Sequence, residues 1–170
     1  MSPVIKHRAV VDDGWQIFTL NEGETPEGVA LPAGDILYPL AVWKTRKDEI
    51  LARGEGVGVW LDADEAPEDI ASDFGHFQLI AVNFPKFADG RGYSTARLLR
   101  SRYGWHGELR AIGDVLHDQL FYMKRCGFDS FALKAGKDVD GAIARAFDTW
   151  TDNYQAAVDQ KLPLFRRRSA

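Results

Sequence analysis

Hydrophobic residues change their spacing several times along the chain, and each change predicts an element. Near the start, Val4, Ile5, Val10 and Val11, then Trp15, Ile17 and Phe18, alternate loosely around Asp12-Asp13-Gly14. An Asp-Gly pair between two β-prone runs predicts a hairpin that turns there. Residues 21–34 carry glycines and prolines and read as a loop. From Pro39 the spacing becomes helical through Leu40, Trp43, Ile50 and Leu51, with Gly54 as the stop. Val57–Leu61 and Phe77–Phe84 are continuous apolar runs, the pattern of strands covered on both faces. Between them, Asp64 is expected to cap a short helix that starts near Pro67. Ser94 is expected to cap a helix that runs to Arg102 and stops at Gly104. A third strand follows at Glu108–Ile112. Asp114 is the expected cap of the next helix, which carries Leu116, Leu120 and Met123 and ends at Gly127. Ser130–Leu133 reads as a fourth strand. A long amphipathic helix is expected last, with Ile143, Phe147, Trp150, Tyr154 and Val158 on one stripe.

Strands that alternate with helices call for a parallel sheet with right-handed crossovers, so the predicted class is α/β with about four βα units. The default closure is an open, doubly wound, Rossmann-like three-layer sandwich. A half-barrel that completes itself through a partner is the alternative. At 170 residues a single domain is expected. Its parts read as an N-terminal hairpin and loop appendage over one edge (1–36), a βα core (37–165) and a basic tail (166–170).

Composition narrows the classes. Hydrophobic residues make up 45% and charged residues 27%, which suffices for a core without staples. The single cysteine, Cys126, excludes an internal disulfide, a Cys-rich zinc site and a four-cysteine iron–sulfur cluster within one chain. Residues 1–8 hold no apolar run of signal-peptide type, and no stretch approaches the roughly 18 apolar residues of a membrane span. A cytoplasmic protein is expected, with no membrane partner. The net charge of −4 gives no pull toward nucleic acid. Charge is unevenly placed, however: acids crowd Asp62–Asp73, arginines crowd Arg91–Arg110, and Arg166–Arg168 close the chain.

In a parallel sheet, ligands collect in the loops beyond the carboxyl ends of the strands. That edge would gather Asp62, Asp64, Lys86, Asp89, Gly90, Arg91, Gly92, Tyr93, Gly113, Asp114, Lys134, Gly136 and Lys137. The richest loop runs from Asn83 to Ser94. Its glycines read as permitting left-handed backbone and close approach of a ligand, and it leads into a helix N-terminus, which favours an anion. Lys86 and Arg91 would add positive charge, so a sulfate-, sulfite- or phosphate-like group is the physical candidate. A long βα turn with a solvated Arg91 explains the same residues equally well. Neither a Walker A loop nor a dinucleotide fingerprint is present. Arg110, inside an otherwise apolar strand, needs carboxylate partners, for which Asp89 and Asp114 are expected. A structural ion pair is the preferred reading of it. The histidines lack metal-ligand spacing, so no metal site is expected. Cys126 reads as a buried, inert thiol, and Ser94 sits in no nucleophile elbow.

The run Asp89-Gly-Arg-Gly-Tyr-Ser94, with Ala96, Leu99-Arg100, Gly107-Glu-Leu-Arg-Ala-Ile-Gly-Asp114, Asp118-Gln-Leu120 and Arg125-Cys-Gly-Phe128, resembles a bacterial domain-of-unknown-function family. Members of that family are commonly labelled "oxidoreductase probably involved in sulfite reduction" and tend to be encoded beside sulfite reductase. The resemblance is closest over 77–133 and extends to 37–61 and to Leu164-Phe165. It implies a role in assimilatory sulfate or sulfite reduction, but it brings neither a reaction nor catalytic residues. No cofactor motif accompanies it, so a redox centre would belong to a partner. The expected function is therefore an accessory protein whose partner is the sulfite reductase hemoprotein. A small anion at the edge and a second copy of the chain are further candidate partners. Two alternatives stay open: an enzyme using Lys86, Asp89, Tyr93 and Asp114 as acid/base groups, and a scaffold without chemistry.

Overall fold

In the computed structural model, residues 3–133 and 152–167 are described, together with Gly141, Ile143, Ala146 and Phe147. Lys134, Gly136, Lys137, Trp150 and Arg168 lie outside the described residues. The strands are β1 (Val4–Lys6), β2 (Ala9–Val11), β3 (Gln16–Ile17), β4 (Ile36–Pro39), β5 (Val57–Leu61), β6 (Leu79–Phe84), β7 (Glu108–Gly113) and β8 (Ser130–Ala132). Helices with described bounds are α1 (Leu40–Ala52), α2 (Arg91–Ser101), α3 (Leu120–Cys126) and α4 (Leu164–Arg167), with 3₁₀ turns at Pro67–His76 and His117–Gln119; Gly141, Ile143 and Ala146 are also helical.

The eight strands form one sheet in the order β2-β1-β8-β7-β6-β5-β4-β3. From β3 to β8 neighbours are parallel and follow chain order, whereas β1 is antiparallel to both β8 and β2. A doubly wound sheet reverses its strand order at a switch point, and no reversal occurs here. The default expectation is therefore corrected: the protein is an α/β half-barrel with a curled, mixed sheet. Chain connectivity requires the curl. Seven interstrand gaps would hold β2 and β3 about 34 Å apart in a flat sheet. Yet only residues 12–15 join Val11 to Gln16, a reach of about 18 Å. The edges must bend toward each other, and residues 12–15 strap the gap.

Alternation along each strand separates two faces. Ile36, Tyr38, Val57, Val59, Leu61, Ile80, Val82, Phe84, Leu109, Ala111 and Phe131 pack with Val42, Trp43 and Ile50 of α1, Ala96 and Leu99 of α2, and Leu120 and Met123 of α3. The opposite, concave face holds Leu37, Leu79, Ala81 and Ile112, with Trp15, Trp60 and Ala132 against them. The two tryptophans explain why β5 and β6 read as covered on both sides.

Several local expectations change. The N-terminal hairpin turns at His7-Arg8, both with positive φ (51° and 63°), and pairs Val4 with Val11 and Lys6 with Ala9. This is the backbone of a tight two-residue hairpin, but it is built from residues that do not advertise it. Asp13-Gly14 belongs to the strap. Residues 1–36 thus supply strands to both edges of the sheet. The 3₁₀ turn at Pro67 has Ala66, not Asp64, at its N-cap. Helix α2 starts three residues before Ser94, which is exposed within it. Residues 152–163 are irregular, not helical, because their backbone bonds elsewhere: Val158 N–H donates to Arg125 O (3.1 Å) and Leu164 N–H to Tyr154 O (3.0 Å). Gly54, Gly104 and Gly127, read as helix stops, all have positive φ. No helix among the described residues is long and apolar enough to cross a membrane.

Candidate functional site

The ends of β5, β6 and β7 bring Asp62, Asn83 and Gly113 to one rim. Asn83 Nδ2 donates to Asp62 Oδ1 (3.0 Å), and Asp62 N–H donates to Glu65 Oε2 (2.7 Å). Burial, with Asp62 and Asp64 nearby, pushes the Glu65 carboxyl up against its own backbone bond. The loop after β6 carries Lys86, which is exposed, and Asp89, which is half-buried. Arg91 Nη2 lies 2.6 Å from Asp89 Oδ2 and Arg91 Nε 3.0 Å from Oδ1, while Arg91 N–H also donates to Oδ1 (3.1 Å). These bonds from Arg91 hold the Asp89 carboxyl at about 2. The first turn of α2 therefore already has its anion. Asp89 fills the place expected for a ligand, and Arg91 is neutralised.

The glycines of this loop have packing roles. Neither Gly90 (φ −86°) nor Gly92 has the left-handed backbone expected of it. A Cβ on Gly92 would stand 2.7 Å from the Phe84 ring, so glycine lets α2 lie close on β6. Tyr93 packs edge-on between Phe84 (5.2 Å) and Tyr122 (5.0 Å). Burial raises its hydroxyl, which stays protonated at neutral pH. Asp114 caps no helix. Its N–H donates to Phe84 O (2.7 Å), and its carboxylate accepts from Phe87 N–H (3.2 Å). Gln119 Nε2 donates to Phe87 O (3.3 Å) and its Oε1 accepts from Leu116 N–H (3.0 Å). Phe87 is thus gripped by its backbone from the neighbouring loop while the residue is 48% exposed. Sequence patterns gave no sign of Phe87 or Gln119.

Arg110 is placed away from this rim. It lies on the concave face with a side chain 3% exposed, ion-paired to Asp13 in the strap and to Glu108 Oε1 (2.7 Å). Its Nε donates to Ser130 Oγ (3.2 Å). The Ser130 hydroxyl passes the link to Glu108 Oε1 (2.6 Å), and Lys6 Nζ reaches Glu108 Oε2 at 2.5 Å. The expected partners Asp89 and Asp114 are corrected to Asp13 and Glu108. The ion pair joins β1, β7, β8 and the strap.

Burial alone would raise the Glu108 carboxyl, but bonds from Lys6, Ser130 and Arg110 outweigh it and hold it below its usual value. A carboxyl depressed in the folded state contributes stability above its unfolded value of about 4.3 and loses it as pH falls through the folded value. Stability is expected to drop below about pH 4.3, and Glu108→Gln to flatten that limb. Urea midpoints between neutral and acid pH check this.

Among the described residues, no group of three or more His, Cys, Asp or Glu side chains is placed to hold a metal ion. The family model for bacterial proteins of unknown function, DUF934, matches residues 58–165, more than half of the chain. The chain belongs to the DUF934 family. The match starts in β5 and so includes the whole rim, Arg110 and Glu108, but neither Asp13 nor Lys6. In this DUF934 protein the strap partner of Arg110 is therefore supplied from outside the matched region. No curated protein matches the chain.

Proposed function

We propose that this DUF934 protein is a non-catalytic accessory protein of assimilatory sulfite reduction that docks on the sulfite reductase hemoprotein through its strand-end rim. The observation that carries the docking is the presentation of Phe87. An exposed aromatic ring whose backbone is already clamped by Asp114 and Gln119 loses little freedom on binding, and such anchors dominate interface energies. The acids on the same edge (Asp62, Asp64 and Glu65) suit a partner with an apolar pocket set among basic residues. The choice of sulfite reductase rests on the family resemblance. Acid/base catalysis has less support, because Asp89 is held by Arg91 and Tyr93 is pushed up by burial.

Affinity recovery from a sulfate-grown host, against a cysteine-fed one, tests the reading. Sulfite reductase is expected to be enriched, and Phe87→Ser to reduce its recovery at least about tenfold, as for an interface hot spot. Recovery of no sulfur-assimilation protein, or equal recovery by the variant, counts against it.

A further inference from the structure

The helical layer carries a second concentration of charge, opposite in sign to the rim. Residues 156–161 run beside the C-terminal half of α2 and leave a cleft of about 380 Å³ that Arg97, Arg100 and Lys161 line. A recess of about 40 Å³ adjoins it, sharing Arg97 and reaching Tyr122, Arg125 and Cys126. The four cations differ in how far they are satisfied. Arg100 is used up, with Nε on Gly127 O (2.9 Å), Nη1 on Trp105 O and Gly107 O (2.8 Å each), and an ion pair to Asp129. Arg125 Nη2 donates to Gln155 O (2.5 Å). Its Nε is buried with no hydrogen-bond partner, because Asp159 Oδ1 stands 3.6 Å away, beyond hydrogen-bond reach. Arg125 as a whole is 8% exposed. The side chains of Arg97 and Lys161 have neither a hydrogen bond nor an ion pair among the described residues. Two carboxylates, Asp129 and Asp159, thus face four cations.

We propose that this cleft binds a small oxyanion, with Arg97 and Lys161 closing on it and the Arg125 Nε of the adjoining recess, ion-paired to Asp159 but without a hydrogen bond, as a further donor. Guanidinium groups match the paired oxygens of sulfate, sulfite or phosphate, and an orphaned buried N–H gains a partner when such an oxygen arrives. Asp159 is the carboxylate nearest the recess, and the other titratable groups there add no negative charge. Burial pushes the Cys126 thiol up, and the neighbouring thiol together with burial pushes up the Tyr122 hydroxyl, so both stay protonated at neutral pH. The site is independent of the docking rim, since Arg97 lies more than a turn and a half along α2 from Arg91, and either can fail without the other.

Thermal unfolding with sodium sulfate, sulfite or phosphate, each against sodium chloride at matched ionic strength, tests the proposal. At least one oxyanion is expected to stabilise the protein saturably at millimolar concentration, and comparison of the three identifies the preferred one. Arg97→Gln/Lys161→Gln is expected to weaken the effect at least tenfold. Arg91→Gln, on the rim, is expected to leave it unchanged. Amide shifts of the wild-type chain on titration should cluster at residues 156–161, a readout that does not depend on any variant folding. The proposal is overturned if none of the three stabilises more than chloride, if the double variant responds as the wild type does, or if the shifts cluster at the rim.

Discussion

Arg110→Met is expected to lower folding stability by about 3–5 kcal/mol, the range for removing one partner of a buried ion pair. The substitution keeps the volume of the side chain but strands Asp13 and Glu108, whose side chains are 9% and 12% exposed. Asp13 bears most of the loss. Glu108 retains Lys6 and the Ser130 hydroxyl, whereas among the described residues Asp13 retains only the Trp15 N–H, which donates to its Oδ1 (2.7 Å). Asp13→Asn keeps an oxygen for that N–H and removes the charge, so Arg110→Met/Asp13→Asn should recover most of the loss. Urea melts of the single and double variants measure the coupling. Because the strap closes the curled sheet, the single variant should also speed hydrogen exchange in β2 and β3 before it does so in β6 and β7.

Gly113→Ala is expected to cost about 3 kcal/mol, combining a left-handed backbone position with overpacking. Gly113 has φ +91°, and a Cβ there would sit 2.5 Å from Phe84 O and also strike the Asn83 side chain. The carbonyl cannot retreat freely, because it accepts the Asp114 N–H at 2.7 Å. Gly90→Ala is the control: φ is −86° and the added carbon meets nothing closer than 3.9 Å, so it should be near neutral. A shifted denaturant midpoint with an unchanged slope would confirm a pure stability effect. The same strain would loosen the grip of Asp114 on Phe87, so docking should weaken in parallel.

Strands β5 and β6 were legible because they bury both faces and leave continuous apolar runs. Glu108 as a partner of Arg110 was also within reach, since two residues along a strand share a face. The other partner was not. Asp13 reads as a turn residue from its neighbours, and only the curl of the sheet carries it across to β7. The closure itself was hidden for the same reason: alternating strands and helices do not state strand order, and the decisive fact is that four residues join the two edges. His7-Arg8 shows the opposite failure, a turn with positive φ and no glycine or asparagine to announce it. At the rim, the charged residues of the loop pair with one another. Asp89 was counted beside Arg91 as part of an anion site, but two residues apart at a helix start they satisfy each other. Among the described residues, Arg97 and Lys161 lack a side-chain hydrogen bond or ion pair, and only the irregular path of residues 156–161 brings them to one cleft.

The central functional claim is that a pre-ordered Phe87 on an acidic rim docks on sulfite reductase. Calorimetric titration of the purified hemoprotein with the wild-type chain and with Phe87→Ser tests it most directly. Saturable binding by the wild type that weakens as salt is raised is expected, with a loss of at least about tenfold in the folded variant. Absence of binding by the wild type, or equal affinity of the two chains, would contradict it.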